Sequence, residues 1–289
     1  MSIKKSELIL NPDGSVYHLQ LKPAHIARTI ITVGDQNRVS QVTKHFDRIE
    51  FSREKREFIT QTGYYKGHRI TVISTGIGPD NIDIVLNELD ALVNIDLNTR
   101  EVKSTHTSLQ LIRIGTSGSL QPDIPVDAFL VSTHGLDLNG MLHFYANPFG
   151  KEAFVDAFIK HTGWSPDKAR PMLIENSPSL QKKLDSDAVF KGITATAGGF
   201  YGPQGRVLRL SLADAELNHK IDSFAFNGQR ITNLEMETST IYGLAKLLGH
   251  EAVSLNAIIA NRANGTFSQN PKEAVEQLIV YALNKITQE

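Results

Sequence analysis

The stretch Leu109-Gln-Leu-Ile-Arg113-Ile-Gly115-Thr-Ser-Gly118 decides how the chain is read. Residues 109–114 are a short, mostly apolar run around a single arginine, and small residues follow it. A run of that length bounded by glycine is a buried strand rather than a helix. The same grammar occurs twice upstream. Residues 28–33 are closed by Gly34-Asp35, and residues 68–74 by Thr75-Gly-Ile-Gly78. A helical pattern follows each. Val39, Val42 and Phe46 share one face of residues 36–46, and Ile82, Val85, Leu86, Leu89 and Leu92 share one face of a helix opened by Pro79. Strands that alternate with helices imply an α/β sheet covered on both faces.

Further strands are expected at 57–65, 128–132, 192–197, 231–234 and 253–260. Helices are expected at 236–248, stopped by Gly249, and at 271–286. Residues 148–190 are more polar and read as mostly helical. Residues 93–110 are long and polar, alternate locally around Asn98-Thr99, and read as a protruding hairpin. A long connection in a compact domain is commonly functional. Residues 1–20 read as an N-terminal arm, with turn chemistry at Asn11-Pro-Asp-Gly14. No linker, repeat or low-complexity segment divides the remainder, so residues 21–289 are expected to form a single catalytic domain.

Composition narrows the function. The 289 residues carry 30 Lys plus Arg against 31 Asp plus Glu. A chain so nearly neutral, with no basic tract, has no electrostatic footprint for nucleic acid or an anionic membrane. A small-molecule ligand or a protein partner is expected instead. Cysteine is absent, which excludes disulfides, thiolate catalysis and Cys-rich zinc sites. No run of about 18 apolar residues is present to span a bilayer. The start, Met1-Ser-Ile-Lys-Lys5, lacks the apolar run of a signal peptide. The expected setting is the cytoplasm.

Three constellations carry chemistry. The first is the set of glycine-ended strands, which bring backbone N–H groups to the carboxyl edge of the sheet, where α/β proteins bind ligands. None of them matches a Walker loop or a dinucleotide fingerprint. Arg113 lies inside its apolar strand, and a buried guanidinium requires an anion. Read alone, it fits either an ion pair with a core carboxylate or a phosphate held in bidentate fashion. Arg38, four residues beyond Gly34, opens the first helix; read alone it fits a solvated helix residue, and beside Arg113 it fits a second group on the same anion. The second constellation is Glu235-Met236-Glu237 at a strand–helix junction. Glu235 fits a carboxylate that complements a helix N-terminus. Glu237 offers two acceptor oxygens for a sugar diol, with Met236 as a soft apolar face. The third is Phe200-Tyr-Gly-Pro-Gln204-Gly-Arg206, with an aromatic, an amide and a guanidinium in seven residues, enough to read the edge of a planar heterocycle.

With these residues in view, the chain resembles the nucleoside phosphorylases, and among them the uridine phosphorylases. The matching motifs keep their order: Tyr17-His18-Leu, Val33-Gly34-Asp-Gln-Asn-Arg38-Val, Lys55-Arg56-Glu57-Phe and Ser74-Thr-Gly-Ile-Gly78. They continue with Arg113-Ile-Gly-Thr116-Ser117-Gly118, the Phe200–Arg206 motif, Glu235-Met236-Glu237 and Ile259-Ala-Asn261-Arg262. The resemblance implies a three-layer αβα sandwich with a mixed central sheet. It implies phosphorolysis of a pyrimidine nucleoside, in which uridine and phosphate give uracil and ribose 1-phosphate. Gly34, Arg38, Arg113 and Thr116 would then hold phosphate, joined by Arg56 of a neighbouring subunit. Glu237 and Met236 would hold the ribose, with a neighbour's His18 at the 5′ hydroxyl. Gln204, Arg206, Phe200, Ser117 and Gly118 would surround the base. Catalysis would fall to Arg113, Glu237, Gln204 and Arg206. No cofactor is implied, phosphate being a co-substrate.

Glu57 belongs to a monovalent-cation site in some members, but the loop Gly78-Pro79-Asp80-Asn81 departs from their Gly-Gly-Pro-Ser. Asn261-Arg262 fits the pyrimidine branch, because purine-specific relatives place an aspartate acid there. The implied assembly is a homo-oligomer with shared sites, either a dimer or a hexamer built as a trimer of dimers. The alternatives are a purine nucleoside phosphorylase, a nucleosidase that uses water, and a non-catalytic oligomer that binds nucleosides.

Overall fold

The computed structural model describes residues 2–150 and 152–288. Met1, Lys151 and Glu289 lie outside the described residues. The strands are β1 (Thr29–Val33), β2 (Arg48–Lys55), β3 (Phe58–Tyr65), β4 (His68–Ser74), β5 (Ile95–Asp96), β6 (Glu101–Val102), β7 (Gln110–Ser119), β8 (Phe129–Asp137), β9 (Met172–Glu175), β10 (Val189–Thr196), β11 (Ala225–Phe226), β12 (Gln229–Glu235), β13 (Glu251–Asn261) and β14 (Thr266–Phe267). The helices are α1 (Gln36–Thr43), α2 (Pro79–Asn94), α3 (Ala153–Thr162), α4 (Pro178–Leu184), α5 (Leu217–Asp222), α6 (Thr238–Leu247) and α7 (Pro271–Ile286).

The strands, apart from β5 and β6, form one mixed twelve-stranded sheet in the order β11-β12-β10-β8-β13-β7-β1-β4-β3-β2, with β9 on β8 and β14 on β13. β4, β1, β7 and β13 run parallel, as expected for apolar strands joined through helices. β8 turns the sheet antiparallel against β13. β12 also pairs with β7, through Asn233 opposite Ser119 and Leu234 opposite Gly118. That pairing closes β7, β13, β8, β10 and β12 into a ring. Helices cover both faces. α2 and α6 pack on one core through Ile82, Leu86, Leu89, Ile241 and Leu244. α1, α4 and α7 pack on the other through Val39, Val42, Leu180, Leu278 and Leu283. This is the α/β architecture the sequence implied.

Several local expectations change. β7 does not end at Ile114 but runs on through Gly115 and Gly118, so these glycines are strand residues and not a turn. Gly115 faces the same side as Arg113, and a Cβ there would lie on the Arg113 guanidinium. Of the three glycine motifs, only Thr75-Gly76-Ile77-Gly78 has glycines at positive φ, +72° and +96°. β2 carried no signal because it is an edge strand with no fully buried residue. β9 interrupts the 148–190 segment, where pairing with β8 overrides its polar, helix-like surroundings. The 93–110 segment does contain a hairpin, β5–β6, but it is tied down. Ile3 N donates to Arg100 O at 2.7 Å and Lys103 N to Asn94 O at 2.8 Å. Within the arm, Val16 and Leu19 are buried in the same core as α2.

Candidate functional site

A cavity of about 640 Å³ opens at the carboxyl ends of β1, β4, β7, β12 and β13. It is the place where ligands bind in α/β sheets. Gly34, Arg38, Arg113, Thr116 and Glu57 line one part of it. Met236 and Glu237 lie along another, and Ser117, Gly118, Phe200, Gln204 and Arg206 also line the wall. The structure thus gathers into one pocket every expected site residue except His18 and Arg56.

Arg113 is buried, and both of its terminal nitrogens are engaged. Its Nη2 donates to Glu237 Oε2 at 2.6 Å and lies 3.1 Å from Glu235 Oε2. Its Nη1 donates to Asn256 Oδ1 at 2.8 Å and Ser254 Oγ at 3.4 Å. The two readings left open by sequence are therefore unequal: inside this chain the anion that satisfies Arg113 is a pair of glutamates. Burial pulls its guanidinium down, but Glu235 and Glu237 outweigh that and hold its pKa above the ordinary arginine value. Burial likewise pushes Glu235 up, against the pull of Arg113.

Arg38 is the contrast. Its Nη1 donates to Ile114 O at 3.3 Å, and its Nε is buried with no partner. Among the described residues no carboxylate is paired with it. Burial, and then repulsion from Arg113, lower its pKa. Asp35, whose side chain accepts Asn37 N–H, caps α1 and fixes the turn that carries Arg38. A partly buried guanidinium with an unsatisfied donor beside a cavity is built to receive an anion.

Elsewhere in the pocket, Gln204 is buried in a short 3₁₀ turn, Gly202–Gln204. Arg206 Nη1 donates to Gln204 Oε1 at 2.5 Å and Phe200 O at 2.7 Å, and its guanidinium lies 3.8 Å above the Phe200 ring. Burial lowers its pKa. Arg262 adds a second guanidinium beside Gly118. A Cβ at Gly118 would lie 3.6 Å from Arg262 Cδ. Arg262 Nη1 is buried without a partner, and its pKa is lowered by burial and then by Arg206. Ser117 Oγ accepts Asn233 Nδ2 at 2.9 Å, so it is anchored to β12.

His18 and Arg56 do not line this cavity. His18 Nδ1 lies 2.6 Å from Glu88 Oε1 on α2, and the backbone N–H groups of His18 and Leu19 also donate to Glu88. Arg56 is exposed, with its guanidinium 5.9 Å from the ring centroid of Tyr17. Arg56 thus lies at the surface of this chain, and His18 is half-buried against α2.

Two features of the site escaped the sequence. Glu235, which by its pattern only complements a helix N-terminus, is also the second carboxylate on Arg113. Its spacing of two from Glu237 was the available signal. Gly135 on β8 had none: a Cβ there would stand 2.6 Å from Ser239 Cα, so only glycine lets the first turn of α6 approach the sheet.

Asp90, His106 and His250 lie close enough together to suggest a metal centre. However, His250 Nδ1 accepts the Leu109 N–H at 3.2 Å. The ring proton is then on Nε2, 3.3 Å from Asp90 Oδ1, and no lone pair faces a metal. No helix among the described residues is long and apolar enough to cross a membrane.

The family model of the phosphorylase superfamily matches residues 28–288. The chain belongs to the phosphorylase superfamily. Within that superfamily it is 31% identical over 269 residues to a uridine phosphorylase of Thermococcus kodakarensis, across 91% of this chain and 83% of the relative. It is 24% identical to a DeoD-type purine nucleoside phosphorylase of Listeria welshimeri, across 92% and 97%. Among solved structures, a Trypanosoma brucei nucleoside phosphorylase described as showing uridine phosphorylase activity superposes with a TM-score of 0.84 at 29% identity, covering 96% of this chain and 99% of that one. The chain is thus an enzyme of the nucleoside phosphorylase type.

Proposed function

We propose that the protein cleaves uridine by phosphorolysis, giving uracil and ribose 1-phosphate. The observation that carries this reading is one cavity with three chemically distinct groups: the unpaired Arg38, the carboxylate of Glu237, and Gln204 with Arg206 and Phe200. These suit a phosphate, a sugar diol and a planar base. Phosphate attacks the anomeric carbon as the base departs. Positive charge grows on the ribose and is offset by the phosphate; negative charge grows on the base and is offset by Gln204 and Arg206. No enzyme nucleophile is required. Gly34, Thr116 and Arg113 complete the phosphate end, Met236 lies against the sugar, and Ser117 and Gly118 against the base.

Charge balance argues for a shared site. Arg113 with Glu235 and Glu237 carries a net charge of −1, and Arg38 brings the group only to neutrality, so this chain alone offers no net positive charge to a phosphate carrying up to two negative charges. A second copy of the chain would supply Arg56, and its His18 would meet the ribose 5′ hydroxyl. A homo-oligomer, working on freely diffusing nucleoside in the cytoplasm, follows from this reading. The test is a panel of nucleosides assayed with and without phosphate. Uridine should be cleaved fastest, and only with phosphate. Equal cleavage in water alone would make the protein a nucleosidase, and faster turnover of inosine would make it a purine enzyme.

A further inference from the structure

The entrance to α6 is a knot of chain segments around Glu235. Its Oε2 accepts the N–H groups of Glu237 and Thr238, both at 2.9 Å, and meets Arg113 Nη2 at 3.1 Å. Its Oε1 accepts the Thr196 hydroxyl at 2.7 Å and Thr238 N–H at 3.1 Å. Thr196 Oγ1 also accepts Ser239 N–H at 2.9 Å, which locks β10 to the same turn. Glu235 therefore has no acceptor site left for a ligand. Glu237 differs. Arg113 holds its Oε2 at 2.6 Å and Gly78 N–H holds its Oε1 at 2.9 Å. Both residues line the cavity, but only Glu237 keeps capacity on each oxygen for one more donor.

We propose that Glu235 is a positioning residue for the sugar. Its charge holds Arg113 between two carboxylates, and Arg113 in turn fixes the Glu237 carboxylate so that both oxygens accept from the cis-diol of a ribose. The proposal rests on the nucleoside reading above. It makes Arg113 a residue of the sugar half of the site as much as of the phosphate half. It also makes discrimination between ribose and 2′-deoxyribose depend on a residue that touches neither.

The experiment compares uridine with 2′-deoxyuridine in the wild type and in Glu235→Gln. Glutamine keeps the size and one acceptor oxygen but removes the charge. In the variant, kcat/KM for uridine should fall about 10- to 100-fold, the worth of one or two misplaced buried hydrogen bonds. The value for 2′-deoxyuridine, which offers Glu237 one hydroxyl fewer, should fall less, so the ratio of the two declines. Equal losses for both nucleosides, or a rise in phosphate KM alone, overturn the proposal. If Glu235→Gln does not fold, Thr196→Val loosens Glu235 without removing its charge. It should lower the same ratio, and an unchanged ratio counts against the proposal equally. A wild type that does not cleave uridine with phosphate overturns the nucleoside reading and this proposal together. An active wild type whose ratio the variants leave unchanged overturns this proposal alone.

Discussion

Arg113 and Arg38 share one charge type and one cavity, and differ in what their donors already hold. Arg113 spends its donors on Glu237, Glu235, Asn256 and Ser254. Arg113→Ala is a poor probe of phosphate binding, since it strands two buried carboxylates without their cation at a cost of about 3–5 kcal/mol in stability. Arg38 has an orphaned Nε and no carboxylate partner among the described residues, so its removal leaves no anion unpaired. Arg38→Ala should keep the wild-type melting temperature and lower kcat/KM for phosphate by about 10²–10³, the usual worth of one preorganised donor. Steady-state kinetics at varied phosphate decides it; wild-type phosphate dependence would remove Arg38 from the site.

At the scale of elements, two packings invite measurement. The first turn of α6 touches β8 at Gly135, where an added methyl would meet the Ser239 backbone. Gly135→Ala should therefore cost about 1–3 kcal/mol in a denaturant titration, because backbone, unlike a side-chain tip, has nowhere to retreat. The second is the clasp of α1 on α7. Lys44 Nζ and His45 Nε2 both lie on Glu276, at 2.7 and 2.8 Å. Partial burial pushes the Glu276 carboxyl up, but the hydrogen bonds from Lys44 and His45 outweigh it, and its pKa falls below 4.5. A depressed carboxylate stabilises the fold above its unfolded pKa and loses that contribution as pH falls through its folded pKa. Glu276→Gln should thus melt below the wild type near neutral pH, with the gap closing in acid below pH 4.5. A gap that persists unchanged in acid would show that the clasp works by shape and not by charge.

For the whole molecule, the separation of His18 and Arg56 from their own cavity is the informative fact. In a symmetric dimer with shared sites, Arg38 and Arg56 of one chain serve different pockets. Arg38→Ala and Arg56→Ala should each be nearly inactive alone, yet regain activity when co-expressed, because the mixed dimer rebuilds one intact site. No recovery in a purified mixed oligomer would mean that both arginines serve the pocket of their own chain.

Much of this was legible in the sequence by itself. Apolar runs ended by glycine and helices with one apolar face are local patterns, written in neighbouring positions, so the alternation of β1, α1, β4, α2 and β7 could be read directly. The chemistry of Arg38, Gln204, Arg206 and Glu237 was legible for the same reason, since residue type states what a side chain can donate or accept. The tertiary structure decided the rest, and each case depends on atoms that meet across long stretches of chain. β2 and β9 exist through the neighbours they pair with. The ring closes only where β12 returns to β7. Arg113 takes as its anion a glutamate 124 residues further on, which no local pattern announces. Position 115 holds glycine because a Cβ there would overlap that guanidinium. The sequence determined which groups the protein possesses; only the fold decided which of them are already satisfied and which remain free to bind, because a buried charge finds its partner in space and not along the chain.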